Sequence, residues 1–189
     1  MSKLEKIKEL RLASIARKVP NVTEENGKFL YMMTRSLKPK KILEIGTANG
    51  ISTLFFAAAL EQNGEGKIYS IEPQDKDHLE AKGYMKELDV EKYTELHHGR
   101  VQDVLPEIDE EFDLVFIDGM KKEYAEYFLI SLWRTHQDTV FLFDDVIKFR
   151  HKMDALFEVL EDRKDDFEWT ILPIDPDDGV LMLHKKAVG

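Results

Sequence analysis

Short apolar runs alternate along this chain with stretches whose apolar positions recur every three or four residues. Runs at Ile42 to Ile45, Lys67 to Glu72, Phe112 to Asp118 and Thr139 to Asp144 predict buried strands. Tyr93 to His97 predicts a shorter one. Ser52 to Leu60, Leu79 to Leu88, Val101 to Ile108, Tyr124 to Trp133 and Met153 to Leu160 have helical spacing. Glu168 to Leu172 and Val180 to His184 predict two late strands, joined through Pro173 and Gly179 with no helix between them. Five strand-then-helix units predict an α/β fold with a doubly wound, mostly parallel sheet. The final pair adds an antiparallel hairpin and brings the sheet to seven strands.

The first forty residues have a different pattern. Leu4, Ile7, Leu10, Leu12 and Ile15 predict one helix, stopped by Pro20. Thr23 with Glu24, Glu25 and Asn26 predicts the capped start of a second, which Pro39 ends. Residues 1–40 are therefore expected to form a helical layer on the sheet, a lid over a ligand or a homodimer contact. With 189 residues and no linker or repeat, residues 1–189 are expected to form one domain.

Net charge of −10 argues against a broad grip on nucleic acid. The absence of cysteine excludes disulfides and thiolate metal sites and fits a cytoplasmic setting. No apolar run reaches membrane-spanning length, and the N-terminus lacks the apolar stretch of a signal peptide.

The chemistry concentrates at strand ends, where such sheets bind ligands. Glu44-x-Gly46-x-x-x-Gly50 closes the first strand and opens a helix near Ser52. Glycine permits close backbone approach, and the first N–H groups of a helix are free to bind. The acidic residue before the first glycine suits a ligand with an ammonium group better than a pyrophosphate. Glu72 ends the second strand, where a carboxylate can accept both hydroxyls of a ribose. Asp118, Asp144 and Asp145 end neighbouring strands. Three carboxylates without His or Cys form a hard-oxygen site, suited to Mg2+ first, with Mn2+ or Ca2+ as alternatives. Lys121 follows Asp118 in the next loop. A lysine beside a cation and a desolvated ligand can have a lowered pKa and act as a base.

The Glu44, Gly46 and Gly50 spacing resembles motif I of the class I S-adenosylmethionine (SAM) dependent methyltransferases, whose Rossmann-like fold matches the predicted sheet. Phe112-Asp-Leu-Val-Phe-Ile-Asp-Gly-Met-Lys-Lys-Glu-Tyr124, followed by Phe141-Leu-Phe-Asp-Asp-Val-Ile147, narrows this. Together they resemble the cation-dependent O-methyltransferases, which include the catechol and caffeoyl-CoA enzymes. The resemblance spans about residues 24–147 and includes the final hairpin. It implies Asp118, Asp144 and Asp145 as metal ligands and Lys121 as general base. It also implies Glu72 on the ribose, Ser52 on the methionine carboxylate, Gln102 near the adenine, and Glu44 with Gly46 shaping the methionine pocket. Asp118 would border the cofactor as well.

The chain departs from the family pattern in four places. Position 145 is usually Asn. Arg100 replaces an acidic or small residue. Thr135 to Asp138 forms a turn without Pro or Gly, and the stretch after Ile147 is short. The expected activity is methyl transfer from SAM to a hydroxyl of a small molecule. Two alternatives remain open at this stage. One is methylation of a modified nucleoside in RNA, suggested by Lys148, Arg150, His151 and Lys152. The other is a SAM-binding or partner-binding module without catalysis.

Overall fold

A computed structural model describes residues 2–186. Two helices come first, α1 (Lys3–Ala16) and α2 (Glu24–Leu37). Ser2 and Glu5 cap α1 reciprocally, and the Thr23 hydroxyl caps α2 by accepting the Asn26 N–H at 3.1 Å. Then follow β1 (Lys41–Ile45), α3 (Ile51–Asn63), β2 (Lys67–Glu72), α4 (Asp75–Glu87), β3 (Thr94–His98), α5 (Val101–Val104) and β4 (Phe112–Ile117). The chain closes with α6 (Tyr124–Ser131), β5 (Thr135–Phe143), α7 (Asp154–Asp162), β6 (Phe167–Leu172) and β7 (Val180–Lys185).

The seven strands form one sheet in the order β3-β2-β1-β4-β5-β7-β6. Strands β1 to β5 are parallel, while β7 runs antiparallel to both β5 and β6. Strand order reverses between β1 and β4, so a crevice opens beyond their C-terminal ends. Both faces of the sheet are covered. Ile42, Ile68, Leu114 and Phe116 pack toward α3 with Ile7 and Leu30 of the N-terminal helices. Leu43, Ile45, Ile71, Val115, Ile117 and Phe143 pack on the other face with Phe128 and Leu156. This burial on both sides is why the parallel strands read as continuous apolar runs.

Helices α1 and α2 both pack on α3, and α2 lies closely against it. A Cβ at Gly27 would run into the Phe55 ring, so only glycine permits this approach. The apolar stripe of α1 is partly used: Ile7 is buried, whereas Leu12 and Ile15 stay exposed.

The region expected as a turn, Thr135 to Asp138, is the first half of β5. Thr135 pairs with Phe112, and the register then shifts. Thr139 holds the irregularity, donating to the Phe112 carbonyl at 2.7 Å and accepting the His136 N–H at 3.0 Å. Helix α4 starts earlier than its apolar spacing predicts, with Asp75 and Asp77 in a first turn that suits the helix dipole. Among the described residues no helix is long and apolar enough to cross a membrane.

Candidate active site

The turn after β1 is held by backbone shape. Gly46 and Gly50 have φ of +97° and +88°, and Ala48 between them also lies at positive φ. A Cβ at Gly46 would lie 2.5 Å from the Asp118 carbonyl oxygen, so this glycine lets the turns after β1 and β4 touch. A Cβ at Gly50 would meet Met85 and Ala81 of α4. The two glycines thus close the protein's own backbone around the crevice.

Glu44 takes the parity of Ile42 and so points at α3, away from the crevice. It is fully buried and accepts hydrogen bonds from the hydroxyls of Ser52, Thr53 and Ser70. Burial pushes its carboxyl up to about 7, against the pull of those three donors. Ser52 is spent on Glu44 at 2.6 Å. Glu44, Gly50 and Ser52, all expected at the cofactor, therefore line no part of the neighbouring cavity.

That cavity is about 520 Å³ and lies beyond β1, β2 and β4. Gly46, Glu72, Gln102 and Asp118 do line it, with Ile45, Ile71, Met120 and Tyr127 as apolar walls. Glu72 accepts the N–H groups of Ala48 at 2.8 Å and Gln74 at 2.9 Å. Burial raises its pKa against those two donors. Gln102 donates to Glu126 at 2.8 Å at the outer wall. Arg100 borders the same end.

A second cavity, about 440 Å³, adjoins the first. Ala48, Asp118 and Gly119 line both. The second is acidic, with Asp144, Asp145, Asp175, Asp177 and Asp178 in its wall beside Lys121 and Lys148.

Asp118, Asp144 and Asp145 converge in the wall of the second cavity, each offering an oxygen within 4.8 Å of the others, and Asp118 also lines the first. Lys121 bridges Asp118 at 2.6 Å and Asp145 at 2.8 Å, and also donates to the Tyr124 hydroxyl at 2.8 Å. Tyr124 in turn donates to the Asp144 carbonyl at 3.1 Å. Burial pushes Asp144 well above the usual carboxylate range, and the charges of Asp118 and Asp145 add to it. Burial likewise raises Asp118, although Lys121 opposes it. Burial pulls Lys121 down, but Asp118 and Asp145 outweigh it and hold the ammonium above its ordinary value. The lowered lysine pKa expected from the sequence belongs to a lysine beside a cation; with Asp118 and Asp145 as its charged partners Lys121 is held as an ammonium. Three converging carboxylates share a single ammonium, and the burial that raises Asp118 and Asp144 reflects the cost of holding them charged without further positive charge. An oxygen-preferring divalent cation fits that donor set.

A family model described as a methyltransferase domain matches residues 43–146, the stretch that supplies the whole wall of the first cavity and the three converging aspartates. The chain belongs to this methyltransferase family. Its domain is 32% identical over 141 residues to a catechol O-methyltransferase of Niastella koreensis, covering 72% of this chain and 63% of that relative. The chain therefore spans less than two thirds of that relative's length. The O-methyltransferase TomG of Streptomyces achromogenes, solved with SAM, superposes with a TM-score of 0.84 at 26% identity, covering 99% of this chain and 91% of TomG. A Bacillus cereus O-methyltransferase solved with SAH, at 25% identity, gives 0.82 over 98% of this chain and 91% of its own. The methyltransferase fold and the seven-stranded sheet expected from the sequence are those observed.

Three residues at the candidate site were not singled out by their sequence. Tyr124 marked only a helix start, Asp178 only a turn, and Asn26 only a cap. Asp178 is legible in retrospect as the acidic residue before Gly179. Its Oδ1 accepts the N–H groups of Ile147 at 3.0 Å, Lys148 at 3.2 Å and Gly179 at 2.7 Å, and so ties β7 to the loop after β5.

Proposed function

We propose that this chain transfers a methyl group from SAM to a hydroxyl of a small molecule, with a divalent cation held by Asp118, Asp144 and Asp145. One observation carries the reading. A cavity with a ribose-compatible carboxylate meets a second, acidic cavity at Ala48, Asp118 and Gly119. A cofactor in the first and an acceptor in the second would face each other across that junction. The similarity to a catechol O-methyltransferase and to an O-methyltransferase solved with SAM supports the same assignment.

Glu72 would take the ribose hydroxyls, since its two oxygens retain lone pairs beyond the two N–H bonds. Gln102 would lie at the adenine end and Asp118 at the methyl end. Glu44 and Ser52 would act indirectly, by fixing the start of α3. Mg2+ bound to the three aspartates would lower the pKa of the acceptor hydroxyl. SAM bound there would supply a sulfonium methyl that the acceptor oxygen could displace in line, leaving a neutral thioether. Positioning is the main contribution of the protein to such a step. Lys121 stands beside the acceptor position as an ammonium. To take the hydroxyl proton it must first give up its own, which requires Asp118 and Asp145 to be engaged by another positive charge.

The basic run after the aspartates gives little support to an RNA acceptor. Arg150 pairs with Asp154 at 2.9 Å and stacks 3.6 Å over Phe157. The test is a screen of hydroxylated acceptors with methyl-labelled SAM, with and without EDTA. SAM binding without transfer to any acceptor would favour a non-catalytic module.

A further inference from the structure

Asn26 sits in the first turn of α2, a place where side chains ordinarily serve their own helix. In a capping box the residue at this position reaches back to the cap backbone. Asn26 does not. Its backbone N–H is satisfied by Thr23, and its side chain crosses to Asp144, far along the chain. The Nδ2 group donates to Asp144 Oδ1 at 2.5 Å, and the residue is only 4% exposed. The other end of the amide, Oδ1, is buried without a hydrogen-bond partner. A side chain kept for packing alone would be apolar here, because an unpaired buried acceptor costs stability.

The surroundings hold this amide in place. Gly27, the next residue, lets α2 press against α3 at Phe55. Thr23 donates its hydroxyl to Asp175 at 3.0 Å, tying the start of α2 to the loop between β6 and β7. Asn26 lines the acidic cavity together with Asp144 and Asp145, and takes no part in the wall of the cofactor cavity.

We infer that Asn26 is a positioning residue for the cation site: by occupying Asp144 Oδ1 it fixes the carboxylate and leaves Oδ2 to face Asp118 and Asp145. The inference rests on the reading of the three aspartates as cation ligands. It makes the N-terminal layer a working part of the site, since the amide is supplied by α2. Hydrogen-bonding partners of metal ligands set ligand orientation, and their loss typically weakens metal binding by about 10–100-fold.

The experiment is calorimetric titration of the full chain with Mn2+ and, separately, with SAM. Asn26→Leu keeps the branched shape of the side chain and removes the donor; Asn26→Ala removes the donor with less bulk, should leucine not fit. Near-UV circular dichroism establishes that each variant is folded. The expected result is Mn2+ binding weakened about 10-fold in the folded variant, with SAM affinity within two-fold (~2) of the wild type. Mn2+ affinity unchanged in a folded variant would overturn the inference. Equal loss of Mn2+ and SAM binding would overturn it too, because that marks a general structural role. A wild-type chain that binds SAM but no Mn2+ fails at the earlier step: the cation reading itself falls, and the role of Asn26 falls with it.

Discussion

Gly46 and Asp118 are in backbone contact across the top of the sheet. A Cβ at residue 46 would come within 2.5 Å of the Asp118 carbonyl oxygen, and Gly46 has φ of +97°. The turn after β1, proposed to meet the cofactor, and the loop after β4, proposed to hold the cation, are therefore one mechanical unit. Gly46→Ala is expected to lower unfolding free energy by about 1–3 kcal/mol, from strain at positive φ and the displaced loop. It should also weaken SAM and Mn2+ binding together. Urea denaturation with two titrations checks this; loss of SAM binding alone would separate the two loops.

Glu44 gives the protein a pH-dependent stability. Its folded pKa is raised from 4.5 to about 7 by burial. Between these values the folded state binds more protons than the unfolded state, so stability falls as pH rises. The contribution is fully present below about 4.5 and lost as pH rises through about 7, at a cost of roughly 3 kcal/mol at most. Glu44→Gln should remove this slope and be the more stable form at pH 8, about one unit above the shifted value. SAM affinity should change little, since the side chain faces α3. Parallel slopes for the two proteins in denaturation from pH 5 to 8, a range of roughly three units, would contradict the account.

Lys121 is the ammonium that two of the three aspartates share. Lys121→Met should leave SAM binding intact and reduce turnover by about 10²–10⁴-fold. It should also make the melting temperature depend more strongly on Mg2+, because Asp118 and Asp145 then lack a protein partner. Thermal scans in EDTA and in Mg2+ measure this, and equal Mg2+ responses of variant and wild type would refute it.

Asp145 adopts φ of +60°, a conformation that Asp and Asn both tolerate. Asp145→Asn should therefore fold normally. With one negative charge fewer, the site should bind Mn2+ more weakly and shift the pH–rate profile to lower pH, as the acceptor hydroxyl ionises more readily. An unchanged Mn2+ affinity and profile would remove Asp145 from the ligand set.

Much of this fold is written in burial. Ile42, Ile68, Leu114 and Leu142 belong to parallel strands covered on both faces, and such strands read as plain apolar runs. The start of β5 was hidden because Thr135, His136, Gln137 and Asp138 are polar and pair only through an irregular register. Asp118, Asp144 and Asp145 could be brought together on paper because each ends a strand on one rim. The orientation of Glu44 could not be taken from its motif. It follows from strand parity, which puts Glu44 with Ile42 on the α3 face. Asn26 was out of reach because its partner lies on another layer, and no local spacing encodes that contact.

The most direct measurement of the central claim is transfer of labelled methyl from SAM to a panel of catechol-type and other hydroxylated acceptors, run in Mg2+ and in EDTA. The account predicts a methyl ether product in Mg2+, formation abolished by EDTA and restored by added Mg2+. Transfer at the same rate in EDTA would contradict the role given to the three aspartates, and SAM binding with no acceptor methylated under either condition would contradict the proposed activity itself.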